Sequence, residues 1–190
     1  MNVFKRNLAC LSLALAQALA LSACGGLLTA DRAPETTWWL APLAGNTHSE
    51  APAGSLDLEL DVVPGLDTDR ILTIDGAARL NHFAGARWPD NLPDVLHSVL
   101  RRNLEPTVPN GADCRLHLEV REYFAGLDDD GDVDAVRLDL TAEKDCGGGG
   151  RAFRIKRSSP ALGPGMQGIV AAFQQVLDDA TRELSDELSD

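Results

Sequence analysis

The sequence predicts an α+β fold: a largely antiparallel β-sheet with two amphipathic helices packed on it, in a single domain. Two observations carry the class. Apolar and polar residues alternate over several short stretches, the period of half-buried strands, while two other stretches repeat apolar residues at helical spacing. Length then sets the domain count. Of 190 residues, 167 remain once an N-terminal segment argued below is set aside, enough for one sizeable core and too few for two.

Thr36-Thr37-Trp38-Trp39-Leu40 is dense in strand formers and stops before Pro42, giving a first strand. Neighbouring side chains of a strand point opposite ways, so one of Trp38 and Trp39 is expected in the core and the other outside. Leu43 to Ser55 reads as a loop. Leu56, Leu58, Leu60 and Val62 alternate with acids in a second strand that Pro64-Gly65 ends. Arg70–Ile74 and Arg79–Phe83 flank Asp75-Gly76, a dipeptide suited to a tight hairpin, as strands three and four. Leu92, Val95, Leu96, Val99 and Leu100 mark the first helix, with Asp90 as N-cap, Pro93 in the first turn and Pro106 past the end. After Gly147–Gly150 comes a strand with Phe153 and Ile155 inward and Arg154 and Lys156 outward, and the strands are expected to run as a meander. Pro160 to Gly165 breaks the chain. Met166, Ile169, Val170, Phe173, Val176, Leu177 and Leu184 then mark a long second helix, with an acidic tail expected to fray after about residue 185.

Between the helices lies the most informative pattern. Leu116, Leu118 and Val120 alternate with polar residues, as do Val136, Leu138, Leu140 and Ala142 beyond an Asp-rich turn. A hairpin turning about Asp130 sets Val120 opposite Leu140, Leu118 opposite Ala142 and Cys114 opposite Cys146, so one register satisfies both apolar faces and both thiols. A Cys114–Cys146 disulfide is the expectation. Reduced thiols or a register-shifting bulge are the alternatives.

The N-terminus directs the chain elsewhere. Lys5 and Arg6 precede an uncharged Leu- and Ala-rich run, too short to span a bilayer, that ends at Leu21-Ser22-Ala23-Cys24. This reads as the lipobox of a bacterial lipoprotein. Residues 1–23 form the signal peptide, Cys24 takes diacylglycerol and further acyl chains such as palmitate, and residues 24–35 form a tether with a reach of about 20 Å. An ordinary signal peptide cut nearby is the competing reading. Cys10 lacks the apolar run. Gly25 rather than Asp after the cysteine favours the outer membrane, with residues 36–190 facing the periplasm.

Without Lys5 and Arg6, 15 basic residues face 29 acidic ones, a net charge near −14 that argues against nucleic acid as a partner and makes lipid, not charge, the membrane attachment. No Cys-x-x-Cys, Gly-x-Ser-x-Gly or phosphate-cradling loop is present, so neither enzyme nor cofactor is expected. His48, His82, His97 and His117 lack ligand spacing, and no metal site is expected. Asp128, Asp130, Asp132 and Asp134 alternate like a calcium loop, but the glycine is misplaced and no closing Glu follows, which favours a solvated turn. Arg151, Arg154, Lys156 and Arg157 read as guards of an edge strand, ahead of contacts to lipid headgroups or an acidic partner.

Pro64-Gly65-Leu66-Asp67-Thr68-Asp69-Arg70-Ile71, Arg79-Leu80-Asn81 and Ala84-Gly85-Ala86-Arg87-Trp88, with the lipobox and the aromatic pair before Leu40, resemble the ABC-type transport auxiliary lipoproteins, the PqiC/YmbA-like family. The likeness covers most of residues 36–180. Departures are Trp38-Trp39 where tyrosines are commoner and Pro89 where alanine is expected. The resemblance implies a non-catalytic lipoprotein working beside an ABC transporter and an MCE-domain (mammalian-cell-entry) protein in lipid transport, with self-association left open. Trp38, Trp39 and Trp88 are the candidate partner contacts. The alternative is a stand-alone periplasmic lipoprotein that binds a lipid or small ligand.

Overall fold

The computed structural model describes residues 34–43, 54–76 and 79–189. The signal peptide and Cys24 lie outside the described residues. In chain order the strands are β1 (Thr36–Thr37), β2 (Ser55–Val62), β3 (Arg70–Asp75), β4 (Arg79–Arg87), β5 (Asp113–Leu127), β6 (Val133–Asp145) and β7 (Arg151–Ser159). Helix α1 (Leu92–Leu104) follows β4, and helix α2 (Gly165–Ser189) closes the chain. The class is α+β, with both helices on one face of an open seven-stranded sheet ordered β1-β4-β3-β5-β6-β7, and β2 also on β5. Glu35 to Asp190 forms one compact unit.

Antiparallel pairing dominates through β5–β6 and β6–β7, but the chain is not a meander. β2 and β3 both lie parallel to β5, β2 along its first half from Ser55 opposite Asp113 to Val62 opposite Val120, β3 along its end from Thr73 opposite Ala125. Pro64-Gly65 merely steps the chain between two stretches of one edge, with Gly65 at φ 101° where a side chain would be strained. Parallel strands need a crossover, and α1 supplies it between β4 and β5. Period-2 patterning says which face is buried and nothing about strand direction.

The β5–β6 register sets Val120 opposite Leu140 and Leu118 opposite Ala142. A bulge at Arg121 turns two successive residues outward, so Tyr123 rather than Glu122 joins the inner face. Because the bulge lies beyond Val120, it leaves the thiol end untouched, and Cys114 is bonded to Cys146 with Cα atoms 4.1 Å apart.

Leu56, Leu58, Leu116, Leu118, Leu138, Leu140 and Ile155 face the helices, meeting Val95, Leu96, Val99 and Leu100 of α1 and Phe173, Val176, Leu177 and Leu184 of α2. Trp88, Tyr123 and Phe173 form an aromatic knot with centroids 4.9–6.4 Å apart, and the Tyr123 hydroxyl donates to the Phe173 carbonyl at 3.1 Å. Each such ring pair contributes about 0.5–1.5 kcal/mol beyond its buried area.

Two helix ends differ from the sequence reading. Asn91, not Asp90, is the N-cap of α1 and makes no side-chain capping bond, while the Asp90 carboxylate accepts from the Asn91 N–H. At the C-terminus α2 continues to Ser189 instead of fraying after residue 185. Leu188 is buried four residues beyond Leu184, and Arg151, Arg157 and Lys144 reach Glu187 and Glu183. Basic residues on β6 and β7 thus hold the acidic end of α2.

Candidate partner-binding surface

Thr36 and Thr37 of the expected first strand pair with β4, in parallel, and the Trp38 N–H still donates to the Arg87 carbonyl at 2.8 Å. Residues 38–43 then leave the sheet as a strap over the helices. Leu40 is buried, and Gln174 of α2 clasps Ala41 from both sides: its Oε1 accepts from the Ala41 N–H at 2.8 Å and its Nε2 donates to the Ala41 carbonyl at 2.9 Å. The same amide also donates to Asp178, whose carboxyl burial pushes above its usual range. Two residues further on, the Leu43 N–H donates to the Asn103 side-chain oxygen of α1 at 3.1 Å. Gln174 satisfies the strap's backbone as a neighbouring strand would, which is why strand formers here do not form a strand.

This fixes the tryptophans differently. Trp38 is half-buried, and its indole N–H has no acceptor among the described residues. Trp39 is 63% exposed. Trp88, read as a candidate partner contact, is core at 1% exposure, because the turn after β4 draws its backbone N–H to the Asp69 carbonyl and drops the ring between Tyr123 and Phe173. It is withdrawn as a contact residue.

Trp39 walls one side of an open groove of about 310 Å³ along α1, with Leu40, Val95 and Val99 as floor. Asp90 and Asp94 stand at the N-terminal end of the groove and Arg102 at the other, none of them in an ion pair among the described residues. A second cavity of similar size lies between Trp38, Phe83, Met166 and Ile169.

Where the chain enters the unit, Glu35, Asp69, Arg70 and Arg87 form a four-membered ion network. Arg70 meets Glu35 at 2.9 Å, and Arg87 meets Asp69 at 2.5 Å and Glu35 at 3.6 Å. The sequence signal was in view, since Asp69-Arg70 and Arg87-Trp88 belong to the segments that carry the family resemblance. What the sequence does not reveal is that Gln174 and Glu35, isolated in sequence, complete the strap and the network.

The basic cluster is consumed internally: Arg154 and Lys156 cover Asp139, Arg157 pairs with Glu183 and Arg151 with Glu187. β7 is an edge strand, so these charges sit where the edge-guard reading put them. Asp128 accepts from the N–H groups of Asp130 and Asp132 and so closes its turn. His117 faces Asp61 at 3.1 Å, and His97 lies 3.3 Å from the Leu58 carbonyl.

No family model and no curated protein matches the sequence. Solved structures do match. An uncharacterized protein superposes with a TM-score of 0.67 at 15% identity, covering 83% of this chain and all of the other. A DUF330 protein from Xanthomonas campestris superposes with a TM-score of 0.55 at 20% identity, covering 80% of this chain and 90% of the other. The fold is shared. At these identities the likeness extends to architecture and not to activity.

Proposed function

We propose that the chain is a lipoprotein, anchored through Cys24 to the outer membrane and facing the periplasm, that acts as a non-catalytic auxiliary of an ABC-type lipid transport system by binding its MCE-domain protein. Trp39 carries the binding part of this reading. A ring 63% exposed, on a strap immobilised by buried Leu40 and the Gln174 clasp, is costly in water and presented at little entropic cost to a partner. The lipobox and the segments around Asp69-Arg70 and Arg87-Trp88 support the lipoprotein and transport parts.

Two substitutions test it. Cys24→Ala should release the protein from membranes or leave it unprocessed, read by fractionation; processed mutant protein still in the outer membrane contradicts the anchor. Trp39→Ala should cut recovery of the MCE-domain protein in pull-downs without changing the melting temperature. A lower melting temperature with undiminished recovery assigns Trp39 to packing instead. The cavity between Trp38, Phe83, Met166 and Ile169 favours a second reading, a lipid binder acting alone. A stoichiometric lipid in solvent extracts of the purified protein would support it.

A further inference from the structure

The sheet is open, and its edges are not alike. β7 carries Arg154, Lys156 and Arg157 along its length. β4 is interrupted between the pairs Arg70–Arg87 and Leu72–His82, turns at Gly85 with φ 72°, and is covered at its end by β1. Positive side chains, irregularities and short covering strands keep an edge from pairing. Among the described residues β2 has none of them. All of Ser55–Val62 stays in register with β5, and no Lys, Arg or Pro interrupts it.

Backbone bonds at both ends of β2 fix which of its groups are left over. The Ser55 N–H donates to the Ala112 carbonyl at 2.9 Å and the Val63 N–H to the Val120 carbonyl at 3.0 Å. In a strand the N–H and C=O of one residue point to the same side and those of the next residue to the other. The odd-numbered residues therefore serve β5, while Leu56, Leu58, Leu60 and Val62 turn their N–H and C=O away from it. Of these groups only the Leu58 carbonyl has a partner among the described residues, the His97 ring of α1 at 3.3 Å. What remains is a row of donors and acceptors repeating about every 6.6 Å. Another extended backbone matches that row. A helix, whose groups are bonded internally, does not, and an acyl chain has no such groups.

Charge narrows the class further. Asp57, Glu59 and Asp61 alternate along the outer face of β2. Arg115 and His117 of β5 meet Asp57 and Asp61 at 3.3 and 3.1 Å, and Glu59 between them has no ion pair among the described residues. A second copy of β2 added antiparallel would set these acids against one another, which is destabilising. A strand with a base across from Glu59 gains instead.

We propose that the open edge of β2 receives an extended segment of a partner protein as an added β-strand, bonded to the backbone of Leu56, Leu58, Leu60 and Val62, with a Lys or Arg beside Glu59. This rests on the reading of the chain as a partner-binding protein, without requiring which protein the partner is.

The test uses the full-length, membrane-anchored protein in cells, with the photo-crosslinker p-benzoylphenylalanine at position 57 and the captured peptide identified by mass spectrometry. The expected capture is a segment of another protein in which polar and apolar residues alternate, with Lys or Arg among the polar ones. Leu60→Pro removes an N–H that β5 does not use, and Leu60→Ala loses the same packing but keeps that N–H. At matching melting temperatures the Pro variant should capture at least fivefold less than the Ala variant. Val62→Pro against Val62→Ala repeats the comparison at a second place, so that one misfolded variant does not decide the matter. Glu59→Lys should lower the yield about three- to fivefold. A crosslinker at exposed Ala152, on the guarded edge strand β7, should not make this capture. Capture of a lipid, of a segment with helical periodicity or of a second copy of this chain, no capture, equal yields from the Pro and Ala variants, or a yield indifferent to Glu59→Lys would each overturn the proposal. If the captured strand belongs to a protein without an MCE domain, this inference stands and the transport reading falls. If the MCE-domain protein is recovered through Trp39 with no crosslink at position 57, the transport reading stands and this inference falls.

Discussion

Asp139 shows how a polar position on the open sheet face can be buried. Its carboxylate is 3% exposed because Arg154 and Lys156 of β7 fold over it. The hydrogen bond from Arg154 outweighs the desolvation, and together with Lys156 it holds the carboxyl below its usual range. Asp139→Asn should cost about 1 kcal/mol at neutral pH, because the released cations are 46% and 63% exposed and return to water. Arg154→Ala with Lys156→Ala removes the side chains that cover the carboxylate as well as its partners, so it uncovers Asp139 to water and should destabilise no more than Asp139→Asn does. A depressed folded-state pKa stabilises above the unfolded value, near 3.9, and the contribution fades as pH falls through the folded value. Urea unfolding should therefore show the wild type and Asp139→Asn separated at pH 7 and converging as the pH drops below about 4. In the sequence Asp139 is simply the polar residue between Leu138 and Leu140. That two cations sit across the strand from it depends on the β6–β7 register, which alternation alone leaves open by two residues in either direction.

Among the elements, the β5–β6 hairpin was the most legible, because two constraints on different residues had to agree. Apolar alternation fixed parity, and the thiols fixed position. The bulge at Arg121 was legible in part, since the run Leu116, Leu118, Val120 resumes at Tyr123 and not at Glu122, a parity break visible in the sequence. β1 was misjudged in length because β-propensity reports fitness for a sheet surface and cannot see a distant Gln174 competing for Ala41. The disulfide spans a separation of 32 residues and closes the element at its open end. Replacing both Cys114 and Cys146 by Ser should lower stability by about 3–4 kcal/mol if it acts by restricting the unfolded chain. A loss below 1 kcal/mol, measured by denaturant unfolding, would mean that the ladder alone holds the hairpin.

At the scale of the whole molecule, class and layer order were legible, because two amphipathic helices and several alternating strands have few ways to bury one face each. Strand order was not. β2 and β3 share an edge of β5 only because α1 carries the chain across the sheet, and no single residue announces a crossover. Nor was it legible that the entry to the unit is tied down. Glu35 binds Arg70 and Arg87, and immediately after it Thr36 and Thr37 pair with β4, Trp38 and Leu40 pack inward and Gln174 grips Ala41. These attachments lie in series along the chain. Tension applied at Glu35 loads them one after another before it reaches β2. The strap is therefore expected to yield ahead of the sheet behind it. Optical-tweezer pulling between residues 35 and 189 should show a small, reversible, low-force extension ahead of the main rip. Gln174→Ala should lower the force of that first event and leave the second unchanged.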